Sequence, residues 1–567
     1  MRNRIQQMLA IGLVACMNIP LAAQAADDGE VLQKIDNLYK EIDTLKSSVK
    51  KVEDKSLGKW LTIGGEYRFR YDYLSGATKP FTDVTATFNN AQSQLQQGYF
   101  NAAAAGNSAA TQQFAGAIAG MTSFSQQMAQ VKTYNQALSF LGANQAMLGP
   151  QGLGAYAVAV PSYKPEEPTL YTNMLNLDLH IKATENVTTT VRLAMYKVFG
   201  SQDDQAVDNG GAAPFFADRV GVFDGTLAHV PSSSYLDVDR AYATWSNIAD
   251  QPLWFSVGRR PSTNGAPSNL RLNNERPGNG GTPSLLVDYA FDGMTIGYAP
   301  DIEALPGAYA KVCYGRGFDS GFRSTPANSI ADTDMLGIAV IPVDTDPLRV
   351  WLQWNRGFNI FDAPTMNNTY FGNTAPKANL GDIDWWGAGF MSTFKKVGSG
   401  DLNVFADTAL SVTHPNGNVS SQFGFQGLMT GGFFAPEAPT SKTGWAVSTG
   451  LRYDLPSKTK LGFEYNHGSK DWITFAPASD DMWTSKVGTR GNVYEAYVIQ
   501  ELKLKPISSY FSKTFIRIGY QYYDFDYTGS NNWVGAPVKM SDVKGQMMAL
   551  TPLAHATDIY TTLEVHF

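Results

Sequence analysis

Leu61-Thr62-Ile63-Gly64-Gly65-Glu66-Tyr67-Arg68-Phe69-Arg70-Tyr71-Asp72-Tyr73 is the stretch that decides the fold. Leu61, Ile63, Tyr67, Phe69, Tyr71 and Tyr73 share one parity; Glu66, Arg68, Arg70 and Asp72 share the other. A period of two means a strand with one apolar and one polar face. Four charges on one face of a single strand do not suit a dry core. They suit the lining of a water-filled barrel whose outer face meets lipid. The chain's last stretch keeps the same code: Ile559, Leu563, Val565 and Phe567 oppose Asp558, Tyr560, Thr562 and Glu564. Ending on an aromatic residue fits a closing strand that finishes in an aromatic girdle, and the two stretches are expected to pair.

Composition agrees. The chain of 567 residues is 43% apolar, 12% aromatic and only 17% charged, against about 25% charged in average globular proteins. Beyond the N-terminus no apolar run reaches the roughly 18 residues of a membrane-spanning helix, so any membrane crossing is made by strands. The formal charge of −7 argues against nucleic-acid binding.

The alternation recurs along the chain. Leu175, Leu177 and Leu179 oppose Asn176, Asp178 and His180, and Val191 and Leu193 oppose Arg192. Leu352 and Trp354 oppose Arg349 and Gln353; Leu451 and Tyr453 oppose Arg452; Ile516 and Ile518 oppose Arg517. With less regular segments, including 235–246, 252–259, 285–300 and 490–503, the strands number about sixteen. Short turns near 184–186, 247–251, 301–307, 343–346, 396–400, 455–458 and 504–512 alternate with long loops, as in an all-β, antiparallel transmembrane barrel. Asp292-Gly293 has the composition of a hairpin turn. It is assigned to a strand interior because a split there makes the count odd. In the fourth strand, Leu236 and Val238 on lipid place Arg240 on lipid too, at a cost of about 2–4 kcal/mol. A bulge near Asp239 is therefore expected, turning Arg240 and Tyr242 inward.

Residues 1–25 read as an export signal: Arg2 and Arg4, an apolar stretch from Met8 to Leu21, and Ala23-Gln24-Ala25 before Ala26. Leu13-Val14-Ala15-Cys16 offers a lipobox alternative. Conventional cleavage leaves Cys313 as the only cysteine, so no intrachain disulfide and no Cys-x-x-Cys-His haem site is expected. In 26–58, Val31, Leu38, Leu45 and Val52 form one seam and Ile35, Ile42 and Val49 the other, about three heptads of coiled coil.

Signal, coiled coil, barrel and terminal Phe567 together resemble a bacterial outer-membrane porin with an N-terminal periplasmic coiled coil. Val257-Gly258-Arg259-Arg260-Pro261-Ser262-Thr263-Asn264-Gly265 and Trp60–Arg70 are similar to an uncharacterised porin family. The resemblance implies a Gram-negative outer-membrane location, contact with its lipid, a homo-oligomer (trimer favoured) and a loop between strands five and six folded into the lumen, here 260–282. That loop carries Arg260, Arg271, Arg276 and Glu275. Arg260 shares parity with Trp254 and Ser256 and is expected to face inward. Glu66, Arg68, Arg70, Asp72, Arg192, Arg349, Arg452 and Arg517 complete the candidate pore lining. Such charges select permeants or pair with one another and stiffen the wall. The loop 75–169 is much larger than a typical porin's, and between Asp83 and Lys164 its only charge is Lys132. Its Ala/Gln-rich part has helical composition and either plugs the mouth or stands outside as a contact surface.

The leading functional expectation is passive diffusion of small hydrophilic solutes or ions, with a mild anion preference and no cofactor. The alternative is a barrel scaffold or sheath for a cell-wall, periplasmic or envelope partner such as an electron-transfer protein. The histidines at 180, 229, 414, 467, 555 and 566 show no catalytic spacing, so no enzyme activity is expected.

Overall fold

The computed structural model describes residues 39–42, 46, 60–200, 231, 233–260, 265–275, 285–322, 330–369, 372–476, 480–505 and 512–567. The chain divides into two compact units, Met1–Thr62 and Ile63–Phe567. In the first, residues 39–42 and 46 of the expected heptad are helical, while the export signal and the rest of that helix lie outside the described residues.

Sixteen strands close into one antiparallel barrel. In chain order they are β1 (Leu61–Thr78), β2 (Glu166–Lys182), β3 (Val187–Val198), β4 (Ser233–Trp245), β5 (Leu253–Arg260), β6 (Phe291–Tyr298), β7 (Tyr309–Phe318) and β8 (Thr333–Asp344). There follow β9 (Leu348–Phe361), β10 (Asn379–Val397), β11 (Gly400–Pro415), β12 (Thr443–Asp454), β13 (Thr459–Gly468), β14 (Gly491–Glu501), β15 (Lys513–Phe525) and β16 (Leu553–His566). Closure is between β1 and β16, in the register Tyr67↔Val565, Arg70↔Thr562 and Tyr73↔Ile559. Phe567 is tied in by two backbone bonds with Gly65, at 2.9 and 3.0 Å. Glycine is needed there, since a Cβ on Gly65 would lie 2.2 Å from the Asn176 carbonyl oxygen.

Parity holds around the wall. Ile559 and Leu563 face outward, while Asp558, Tyr560, Thr562 and Glu564 are buried inside. Outward Trp245, Leu352, Phe390, Leu451, Phe463, Ile518 and Tyr520 continue the apolar band, which only lipid or a partner's apolar face can cover. The fourth strand bulges where the electrostatics required. Arg192 pairs with Arg240 and Leu193 with Val238, so Asp239 is the extra residue. Arg240 Nε then donates to Asp239 at 2.9 Å inside the barrel, and Leu236 and Val238 stay outward. Asp292 and Gly293 lie within β6, near its start, paired with Arg316 and Gly315.

One segment departs from expectation. The strand predicted over 285–300 begins only at Phe291; Leu285–Ala290 leave the wall and run inward. There Asp288 N donates to Phe475 O at 2.7 Å and Phe475 N to Leu286 O at 3.2 Å. Those partners sit in another loop, 469–490. The sequence Leu285-Leu286-Val287 looks like a strand because it is buried on all sides, as a central strand would be.

The long loops build an apolar layer inside the mouth. Leu286, Phe361, Phe423, Leu428, Trp472, Phe475 and Trp533 pack with Met335, Ile383 and Trp385 of the wall, all of them buried. Several polar groups in this layer find partners. Trp385 donates to Ile473 O at 2.8 Å, Trp533 to Phe361 O at 2.6 Å, and Arg490 to Gly529 O at 2.6 Å and Asn532 O at 2.7 Å. Above it sits a helical lobe: α1 (Val84–Ala104), α2 (Ser108–Ala129) and α3 (Tyr134–Ala143). Asp83, Asn107 and Thr133 cap their N-termini through side-chain oxygens, Thr133 in a reciprocal pair with Gln136. Ala91, Phe124 and Phe140 bury against Val419 and Phe425, so the lobe is seated on the 416–442 loop.

Candidate functional site in the barrel lumen

One sector of the lumen is sealed. On β1 and β14–β16, Arg70, Asp72, Glu495, Arg517, Gln521 and Asp558 are all 1% exposed or less. The 469–490 loop fills that side and brings Asp480 to the wall. Its carboxylate lies 2.5 Å from Arg68, 2.9 Å from Arg70 and 2.8 Å from Arg517. Arg70 also reaches Asp72 at 2.6 Å and Asp558 at 2.8 Å, with its guanidinium over the Tyr560 ring at 4.3 Å. Burial alone raises an aspartate's pKa. At Asp480 the guanidiniums of Arg517, Arg68, Arg70 and Arg271 outweigh it and hold the carboxyl well below the usual range. A second knot adjoins the first. Arg271 contacts Asp481 at 2.6 Å and Glu495 at 3.2 Å, and Lys486 lies 2.5 Å from both Glu464 and Glu495.

The remaining sequence candidates sort by partner. Arg192 and Asp178 form a two-pronged pair at 2.7 Å, with side chains 16% and 19% exposed. Glu66 accepts from Asn176 at 2.6 Å and faces His566 at 3.4 Å. Arg349 donates to the Tyr309 hydroxyl at 2.6 Å and lies 3.6 Å from Asp344. Arg452 clasps Asp454 at 2.7 Å and donates to Leu270 O at 2.6 Å. Glu275 meets Lys513 at 3.1 Å near the surface. Within the 260–282 loop, residues 265–275 are folded inside, with Ala266, Leu270, Arg271 and Asn273 buried; Arg276 lies outside the described residues. Arg260 differs from the others, since its Nε donates to Ser256 at 2.8 Å and a second nitrogen contacts the Thr295 hydroxyl. Pairing along the wall, rather than a ring of free charges, is the dominant arrangement.

Sequence reasoning missed Asp480, Asp481, Lys486 and Lys311. The first three sit in a loop whose inward fold has no local signature. Lys311 was legible in principle: Ala310 and Val312 against Lys311 and Cys313 is a period of two, and Lys311 is buried on the inner face. Among the described residues, no group of three or more His, Cys, Asp or Glu is placed to hold a metal ion.

A closed, sixteen-strand antiparallel barrel with an apolar outer face and a charged, loop-filled interior is a transmembrane β-barrel of the porin type. The chain belongs to the family described as "Protein of unknown function (DUF3373)", whose model matches residues 164–567. No curated protein matches. Among solved structures the chain is similar to outer-membrane-expressed OmpT of Vibrio cholerae, with a TM-score of 0.35 and 10% identity over 89% of this chain and 97% of that one. It is similar to the outer membrane channel DcaP of Acinetobacter baumannii at the same values. For a mutant of the Rh. blastica porin the TM-score is 0.33 and the identity 10%, over 89% and 100% of the two chains. The fold assignment rests on the hydrogen-bonded closure of this barrel.

Proposed function

We propose that the protein is an outer-membrane porin whose conduit is narrow and off-centre, running along β2–β7 and favouring small hydrophilic anions. The observation that carries this reading is the contrast in lumen exposure. Arg192, Asp178 and Arg240 keep side-chain exposures of 16, 19 and 16%, while Arg70 on β1 and Arg517 on β15 have none. Of these charges, water reaches those on β2–β4 and not those on β1 and β15. Arg192 and Arg240 are balanced by Asp178 and Asp239, whereas Arg260 on the next strand has no carboxylate within salt-bridge distance among the described residues, and a cationic constriction favours anions. In this reading the protein is a channel rather than an enzyme. The short turns face the periplasm, where residues 26–58 form a coiled-coil stalk after the 1–25 signal is removed, and the barrel works as a trimer. The 84–163 lobe caps the outer loops.

Planar-bilayer recording on purified full-length protein tests it. Discrete current steps, smaller than those of an open sixteen-strand porin in the same bilayer, are expected. Absence of current, with the 84–163 lobe present or deleted, overturns the conduit and favours the scaffold reading, in which the packed interior makes a rigid anchor for a periplasmic or envelope partner.

A further inference from the structure

The short turns carry exposed charge that is sorted by sign. Lys395 and Lys396 close β10, Lys458 lies in the β12–β13 turn, and Lys503 and Lys505 lie in the β14–β15 turn; all five are exposed. These turns are neighbours, because β10 to β15 follow one another round the barrel. Among the described residues none of the five side chains has an acidic partner within salt-bridge distance, and the acids beside them are engaged elsewhere. Asp454 is clasped by Arg452 at 2.7 Å, Glu501 by Lys460 at 2.7 Å, and Asp401 accepts the Lys396 backbone amide at 2.9 Å. Residues 506–511, the remainder of the last turn, contain no charged residue. The β4–β5 and β6–β7 turns have the contrary character. Asp250, Asp301 and Glu303 are exposed there, and neither turn contains a lysine or an arginine.

The lysines stand where the apolar outer band ends. Phe394, Val397 and Leu504 beside them are 51, 40 and 63% exposed, and Leu461 faces outward three residues after Lys458. Three residues of strand advance about 10 Å, and less along the normal because barrel strands are tilted. The headgroup layer on each side of a bilayer is about 5–8 Å thick, and the flexible lysine stem carries its ammonium from the band's edge into it. Lys396 and Lys458 have φ of 59° and 67°, where glycine or asparagine is the usual residue. Charge is therefore kept at these turns against the backbone's preference.

We propose that this lysine arc binds the anionic headgroups of phospholipids in the adjoining leaflet. A zwitterionic lipid brings its own amine beside its phosphate and gains little from the arc, whereas an anionic lipid leaves its phosphate to the ammonium groups, whose attractions add up at a membrane surface. The apolar neighbours favour lipid over a soluble acidic partner, because one short stretch of chain answers both hydrocarbon and charge. The inference takes the outer-membrane placement from the reading above and nothing from conduction.

Electron spin resonance of the full-length protein in phosphatidylcholine vesicles tests it, with trace spin-labelled phosphatidylglycerol or spin-labelled phosphatidylcholine as probe. Lipid held at the barrel surface gives a motionally restricted spectrum. The restricted fraction is expected to be at least twofold larger for phosphatidylglycerol, and the excess to vanish near about 1 M NaCl, where the screening length is about 3 Å. Lys→Gln at 395, 396, 458, 503 and 505 together is expected to remove the excess. Asp250→Asn, Asp301→Asn and Glu303→Gln together are expected to keep it. Heat-modifiable gel migration reports that each variant is folded. Equal fractions for the two labels, or an excess unmoved by salt or by the folded lysine variant, overturn the site. If the five-lysine variant does not fold, Lys503→Gln with Lys505→Gln, expected to lose part of the excess, and the salt series on the unaltered protein decide. A lysine variant that keeps the excess but sediments as a smaller oligomer overturns the lipid assignment in favour of a second copy. Lipid excess without ionic current supports the site and removes the conduit; current without lipid excess overturns the site and leaves the conduit.

Discussion

Asp480→Asn should be among the most damaging single substitutions in the barrel interior. The carboxylate is 1% exposed and sits between Arg68, Arg70 and Arg517 at 2.5, 2.9 and 2.8 Å. Arg70 keeps Asp72 and Asp558, and Arg517 keeps Glu564 at 3.0 Å. Arg68 loses its one carboxylate at salt-bridge distance among the described residues and keeps the Tyr196 ring at 5.5 Å and the more distant charge of Glu564. Removing one partner of a buried ion pair strands the other charge and costs about 3–5 kcal/mol. Asparagine preserves volume, so the loss is electrostatic rather than a cavity effect. Urea unfolding in detergent micelles, followed by tryptophan fluorescence, gives the value; Glu275→Gln is the control, since its pair with Lys513 is exposed and worth at most about 1 kcal/mol. Asp480→Asn and Arg68→Met combined should cost less than their sum, because they share one interaction. The same residue sets a pH dependence. Its folded pKa lies well below the unfolded value of about 3.9, so its stabilisation is complete above about pH 3.9 and is lost only as pH falls through the folded value. Asp480→Asn should therefore flatten stability against pH in that acidic window and nowhere above it. A loss under about 1 kcal/mol would show that the three arginines do not depend on this carboxylate.

Further outcomes follow from the packing. Trp533→Ala empties a fully buried site in the loop layer against Phe361 and Phe475. It should cost about 3–5 kcal/mol in the same unfolding assay. Leu563→Lys places a charge on the outer face and should cost about 2–4 kcal/mol in lipid, against little for Lys at exposed Gln94 of α1. Gly519→Ala puts a Cβ 2.2 Å from the Tyr560 ring, which its hydroxyl bond to Glu495 at 2.7 Å holds in place. The resulting overpacking should cost about 1–3 kcal/mol and lower the thermal midpoint.

The barrel was legible because lipid and lumen impose opposite chemistry on alternate residues, so each strand carries its own evidence. Tyr67, Phe69 and Tyr71 against Arg68, Arg70 and Asp72 needed no distant information, and the β1–β16 pairing came from matching two such codes. The bulge at Asp239 was legible for the same reason: Arg240 on lipid costs more than a break in register. The interior was not legible, because its partners are remote in sequence. Nothing near Asp480 announces Arg68 or Arg517, and nothing near Leu285 announces Phe475. Leu285–Val287 read as wall because burial between loops gives the same unbroken apolar run as burial in a sheet. Of the pore-lining candidates, parity identified which side chains face inward, but not which are neutralised there. Arg260 and Arg271 illustrate the limit: they belong to one predicted loop, yet one rests on hydroxyls and rings and the other is locked between Asp481 and Glu495.

The most direct test of the off-centre cationic conduit is the reversal potential across a bilayer holding the full-length protein in a KCl gradient. The account predicts a sign set by chloride, moving toward zero in Arg260→Gln and unmoved by Glu275→Gln. A potential set by potassium, or one indifferent to Arg260, contradicts it.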